Sequence, residues 1–300
     1  MKVLMATDGS LNATIAVQTA ARLLQPQNCE IDLLTVAPPF RRIPHSRGGR
    51  LRDAYERKIL AETLRILEQA RDAVRLNGLE ARPVSEIGPP ADVILRKMVD
   101  YDLTVIGAKG RDIQPHVGLG PVASRVVEHS GAPILVGREL VSDRGFRVLV
   151  PVDGSMASVR ALEAASALFN LDIAEVTLIH IVETPWIHLG LPDEWLDEYE
   201  LEDADQQPDA GFERELMREA ESVIKKAYAA LVSTHASIQT MISRGNPANE
   251  ILSAAEEGQH DLIVLGATGA TDLKHRLLGS VSTKVAWNAD CSVFISSVAD

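Results

Sequence analysis

The chain has 300 residues, of which 46% are hydrophobic and 24% charged, with a net charge of −12. That suits a folded protein of about two domains with a real core. The acid excess argues against nucleic acid as the main partner, and no run approaches the ~20 apolar residues of a membrane helix.

The elements follow in order. Short apolar, β-branched runs stand at Val3–Ala6, Ile31–Val36, Pro83–Ile87, Leu103–Gly107 and Ile134–Val136. Between them lie helical patterns such as Tyr55–Leu76, with Ile59, Leu60, Leu64, Leu67, Ala70 and Val74 at helical spacing. A polar stretch, Glu139–Phe146, reads as a linker. The pattern then repeats at Val148–Val152, Val176–Val182, Ile238–Ser243, Leu262–Gly266 and Val293–Ser296. Alternating β and α with nearly continuous apolar strands predicts an α/β fold: parallel sheets with helices on both faces. In such sheets the ligand crevice lies past the carboxyl ends of the strands, where the winding reverses.

The halves are copies. MATDGSLNATIAVQTAARLL (5–24) aligns with VPVDGSMASVRALEAASALF (150–169), and EIGPPADVIL (86–95) with SRGNPANEIL (243–252). YDLTVIGAKG (101–110) aligns with HDLIVLGATG (260–269). Two long repeats mean two copies of one domain, 1–140 and 145–300, rather than a solenoid. Their charges differ. Residues 1–144 hold 20 Lys and Arg against 17 Asp and Glu, and the remainder 10 against 25. Two matching loops sharpen the contrast. Residues 38–53 carry five Arg and one Asp, whereas 183–210 carries ten acids with Trp186, Trp195 and Tyr199. Solvated loops are one reading. Electrostatic docking, with 193–210 as a segment for a protein partner, is the other.

Two constellations recur. Asp8-Gly9-Ser10 and Asp153-Gly154-Ser155 each follow the first strand of a copy. Ser there reads as a helix N-cap and Gly as a tight turn, while the Asp faces the crevice, able to accept bonds from a sugar hydroxyl or an adenine amino group. The fourth strand of each copy ends in a glycine frame: Gly107, Gly110 and Gly120 in the first, Gly266, Gly269 and Gly279 in the second. Gly266 and Gly269 are expected to let the backbone approach a ligand closely and to take a positive φ. Gly279-Ser280-Val281-Ser282 then opens a helix, Ser282–Asn288, whose free N–H groups and dipole suit phosphate.

This arrangement, G-x2-G-x9-G-[ST] with an Asp after the first strand, resembles the ATP-binding type of universal stress protein, in tandem form. Pro-Val-Asp-Gly-Ser at 151–155, Gly-x-Pro-Ala at 245–248, His-Asp at 260–261 and Leu-Gly-Ser-Val-Ser at 278–282 carry the likeness. The resemblance implies two five-stranded parallel sheets of the adenine-nucleotide alpha-hydrolase-like type, strand order 3-2-1-4-5. It implies adenosine between strands one and four. Pro151, Val152 and Asp153 would line that pocket, Ile181 and Leu265 would contact the base, and Gly266, Gly269, Gly279, Ser280, Val281 and Ser282 would hold ribose and phosphates. It also implies ATP, ADP or AMP with accompanying Mg, a stress-response role in the cytoplasm, a pseudo-dimer through the fifth strands, and a possible homodimer.

The first copy departs from the pattern. Asp8, Val36, Ile106, Gly107, Gly110 and Gly120 are present, but Pro121 and Ala123 stand opposite Ser280 and Ser282. Proline has neither N–H nor hydroxyl, so phosphate donors are lost and this copy is expected to bind weakly. Lys109, Arg111 and His116 are candidate compensating cations or plain surface. Lys274, His275 and Arg276 stand similarly in the second copy. His180 reads as a satisfied core histidine. Cys29 and Cys291 show no metal spacing and suit a reducing cytoplasm. The opening MKVLMATDGS turns polar too early for a signal peptide. Two other classes fit the same residues: a slow ATPase or nucleotidyl-transfer enzyme, and an interaction module with a vestigial nucleotide site.

Overall fold

A computed structural model describes residues 1–25, 29–39, 48–110, 118–140, 145–183, 210–231, 234–268 and 278–296. The acidic segment 193–210 and most of the basic stretch lie outside the described residues, apart from backbone at their ends. So do Gly269, Arg111, His116, Lys274, His275 and Arg276.

The first half runs β1 (Lys2–Ala6), α1 (Leu11–Leu23), β2 (Glu30–Ala37), α2 (Gly48–Arg75), β3 (Ala81–Ile87), α3 (Pro90–Lys97), β4 (Leu103–Gly107), α4 (Pro121–His129) and β5 (Ile134–Gly137). The second runs β6 (Arg147–Pro151), α5 (Met156–Leu168), β7 (Glu175–Val182), α6 (Ala210–Ala230), β8 (Ser237–Arg244), α7 (Pro247–Glu257), β9 (Leu262–Gly266), α8 (Ser280–Asn288) and β10 (Ser292–Ser296). Each half has strand order 3-2-1-4-5, and the two join into one sheet, β3-β2-β1-β4-β5-β10-β9-β6-β7-β8. Neighbours are parallel except at the join, where β5 and β10 run antiparallel through Val136–Val293, Leu135–Phe294 and Ile134–Ile295.

Successive strand residues face opposite sides of a sheet, and both sides are buried here. Val3, Met5, Leu33, Leu103 and Phe294 belong to one core cluster with α1, α2, α5 and α6. Leu4, Ile106, Ile134, Ile263 and Ile295 belong to the other with α3, α4, α7 and α8. Both clusters run through both halves, and Phe169 meets Phe294 edge to face at 5.2 Å. This explains why the inner strands read as unbroken apolar runs.

Element ends differ from expectation for local reasons. β3 begins two residues early because Ala81 pairs with Ile31. Its Pro83 is tolerated because β3 is an edge strand. α8 begins at Ser280, directly after Gly279, rather than at Ser282. Cys291 is buried and Cys29 half-buried. Burial pushes the Cys291 thiol up to about 12, against a smaller opposing pull from Arg138. No helix among the described residues is long and apolar enough to cross a membrane.

Candidate functional site

In each half the winding reverses between the first and fourth strands, and a cleft opens at their carboxyl ends. The local turns are built alike. Ser10 caps α1 by accepting from Ala13 N at 3.2 Å, and Ser155 caps α5 by accepting from Ser158 N at 3.2 Å. Gly9 and Gly154 turn the chain with φ of 74° and 80°, a region glycine enters without strain. The turn also orients the aspartate. Asp8 Oδ1 accepts from Ser10 N at 2.9 Å. Asp153 Oδ1 accepts from Ser155 N at 3.0 Å and from Ser155 Oγ at 2.6 Å.

The glycine frames are equally matched. Gly120 N donates to Ala108 O at 2.8 Å, and Gly279 N to Ala267 O at 2.6 Å. These bonds fold the segment after the fourth strand back so that α4 and α8 start beside the cleft. One expectation is corrected: Gly266 does not take the left-handed backbone, and neither does its counterpart Gly107. At Gly266 a Cβ would lie 3.1 Å from Ala157 backbone, and at Gly107 2.9 Å from Asn12 and Ala13 backbone. These glycines admit the start of α5 or α1 against the strand end, so their first requirement is packing within the fold. Gly110 does border the site: its Cβ would lie 3.2 Å from Asp8 Oδ2.

The second cleft, about 220 Å³, is lined by Pro151, Val152, Asp153, Ile181, Leu265, Gly266, Gly279, Ser280, Val281 and Ser282. Of the residues anticipated in this half, Gly269 falls outside the described residues, as do the candidate cations Lys274, His275 and Arg276. The first cleft, about 280 Å³, brings together Asp8, Val36, Ile106, Gly107, Gly110 and Gly120, with Lys109, Pro121, Val122 and Ala123.

His180, read from the sequence as a satisfied core histidine, is hydrogen-bonded but only half-buried, and it lines the second cleft. Its Nδ1 is 2.7 Å from Val152 O, and since a carbonyl only accepts, Nδ1 carries the proton. Glu183, Pro247 and Ile251 also line this cleft, as Pro90 and Ile94 line the first. The repeated Gly-x-Pro before α3 and α7 was the available signal for the prolines. Ser282 is buried, and its Oγ donates to Gly266 O at 2.8 Å. That hydroxyl proton ties α8 to the end of β9. Among the described residues no group of three or more His, Cys, Asp or Glu is placed to hold a metal ion.

The family model for universal stress proteins matches residues 1–138 and again 146–297. The chain belongs to the universal stress protein family. It is of the tandem, two-domain form. A universal stress protein of Methanocaldococcus jannaschii is 33% identical over 150 residues, covering 50% of this chain and 80% of that protein. One from Mycobacterium tuberculosis is 25% identical over 308 residues, covering 98% of this chain and 95% of its own. The crystal structure of a universal stress protein from Archaeoglobus fulgidus superposes with a TM-score of 0.65 at 21% identity, over 99% of this chain and 98% of that one. This last likeness is one of fold.

Proposed function

We propose that this universal stress protein binds ATP in the cleft of its second half. The observation that carries the reading is the meeting of Asp153, just past the end of β6, with the start of α8 across one cleft. Val152, Ile181 and Leu265 offer surface to an adenine ring. The Ser155 turn orients the Asp153 carboxylate, which accepts from a ribose hydroxyl. The N–H groups at the start of α8, with the exposed Ser280 hydroxyl, receive phosphate at the positive end of the helix dipole. Mg arrives with the nucleotide.

The first half, 1–140, keeps the cleft and Asp8 but starts α4 with Pro121, so it binds nucleotide weakly or without its phosphates. The second unit, 145–300, is the responsive one. The protein acts in the cytoplasm as a nucleotide-regulated binding protein in the response to stress, with at most slow hydrolysis. Extraction of the purified protein and chromatography of what is released tests this. Adenine nucleotide is the expected finding. A protein that carries none and takes up none on addition of Mg-ATP overturns the reading.

A further inference from the structure

The two clefts differ at Ser280 and Pro121, yet α8, the helix that opens on the second cleft, is held at its far end by the first half. Arg138 follows β5 directly. One terminal nitrogen of its guanidinium donates to Ala286 O at 2.8 Å and the other to Cys291 O at 3.0 Å. Ala286 lies in the last turn of α8, so its carbonyl is one of the four at a helix C-terminus that lack a partner within the helix. A cation there also complements the negative end of the dipole. Cys291 immediately precedes β10, so the fork spans the connection between α8 and β10.

Arg138 is itself fixed from both halves. Its N–H donates to Ser292 Oγ at 3.0 Å, and Ser292 Oγ lies 3.2 Å from Arg138 O. Thr19 Oγ1 of α1 donates to the same carbonyl at 2.8 Å. A second contact acts nearby. A Cβ on Gly118, two residues before Gly120 of the first cleft, would lie 2.6 Å from Trp287 O and 3.0 Å from Trp287 Cε3. The first half therefore touches α8 at consecutive residues of its last turn, Ala286 and Trp287, while Ser280 and Ser282 line the second cleft. These two regions are about 9 Å apart along the helix.

We propose that Arg138 is a positioning residue for the phosphate end of the second-half site. By fixing the slide and rotation of α8, the first half sets where the Ser280–Ser282 amides stand. A copy that has lost its own phosphate donors thus serves the other copy as an anchor for its phosphate helix. Adenine and ribose contacts, which come from β6, β7 and β9, do not depend on this clamp. The proposal rests on the reading that the second cleft holds phosphates.

The test compares ATP with adenosine in the full chain. Arg138→Met removes both bonds at similar volume. Arg138→Lys keeps the charge and one bond, and carries the comparison if the Met variant fails to fold. In Arg138→Met, ATP binding should weaken about fivefold to tenfold, the low end of ordinary coupling between sites, with adenosine binding unchanged. Arg138→Lys should lie between. Equal losses for ATP and adenosine, or no loss, overturn the proposal. Amide hydrogen exchange without ligand gives an independent readout: α8 should exchange faster in Arg138→Met while α4 stays unchanged, and unaltered exchange in α8 also overturns it. A wild-type protein that binds no ATP refutes the nucleotide reading and leaves the clamp to be judged by exchange alone.

Discussion

Replacing Ser280 with proline separates phosphate contacts from folding. The first half has already performed the substitution. Gly120, before Pro121, has φ −71° and ψ 166°, and Gly279, before Ser280, has φ −71° and ψ 160°. Both precede the first helical residue, where proline's fixed φ fits and the missing N–H has no helical partner. The extended backbone of Gly279 also suits a residue before proline. Ser280→Pro should therefore fold with little change in stability. It removes one N–H and one hydroxyl from the start of α8. Hydrogen bonds to charged groups contribute roughly 1.5–3 kcal/mol each, and about 1.4 kcal/mol is tenfold in affinity. Loss of even one such contact weakens ATP binding by about tenfold. Isothermal titration with Mg-ATP measures the loss, and thermal unfolding without ligand checks the fold. Unchanged affinity in a folded variant would refute the assignment of phosphates to α8.

Other substitutions divide the site further. Asp153→Asn keeps an oxygen for Ser155 and loses the carboxylate, so ATP and adenosine should weaken together by about tenfold; a loss confined to ATP would contradict the ribose role. Ser282→Ala removes the bond to Gly266 O, about 1 kcal/mol, and should lower Tm by about 2–4 °C. Its effect on ATP should stay well below that of Ser280→Pro, because the hydroxyl proton is already committed; an equal loss would show otherwise. His260 is buried, with Nδ1 3.1 Å from Ala254 O and Nε2 3.2 Å from Thr177 Oγ1. Burial pushes its imidazole below the ordinary value, outweighing the Ala254 and Ala255 backbone contacts that raise it. The unfolded chain thus takes up this proton first, near pH 6.5. Stability present above that pH is lost as pH falls toward the folded value, by up to about 1.4 kcal/mol per pH unit. Denaturant melts of His260→Gln should show a shallower loss between pH 7.5 and 5.5, and an unchanged slope would assign the acid sensitivity elsewhere.

The fold was legible because its inner strands are short and buried on both faces. Val3, Leu4 and Met5 are fully buried, as are Leu262, Ile263 and Val264, which leaves no polar alternation to confuse the pattern. Duplication did the rest for the site: Asp8 against Asp153 and Gly107 against Gly266 marked the strand ends that meet. What stayed hidden depends on approach in space. Nothing local says that Gly266 is there for Ala157, that Ser282 bonds Gly266, or that His180 borders the cleft. Pro247 and Ile251 reach the second cleft from a helix after the third strand, and only the sheet order brings them there. The clamp on α8 by Arg138 was equally invisible, since it joins residues about 150 positions apart across the β5–β10 ladder.

The most direct test of the account is the stoichiometry of Mg-ATP binding to the intact chain, measured by titration calorimetry alongside Ser280→Pro. The account predicts a single strong site per chain that Ser280→Pro weakens. Two equal sites per chain, or a strong site that survives Ser280→Pro, would contradict the division of labour between the halves.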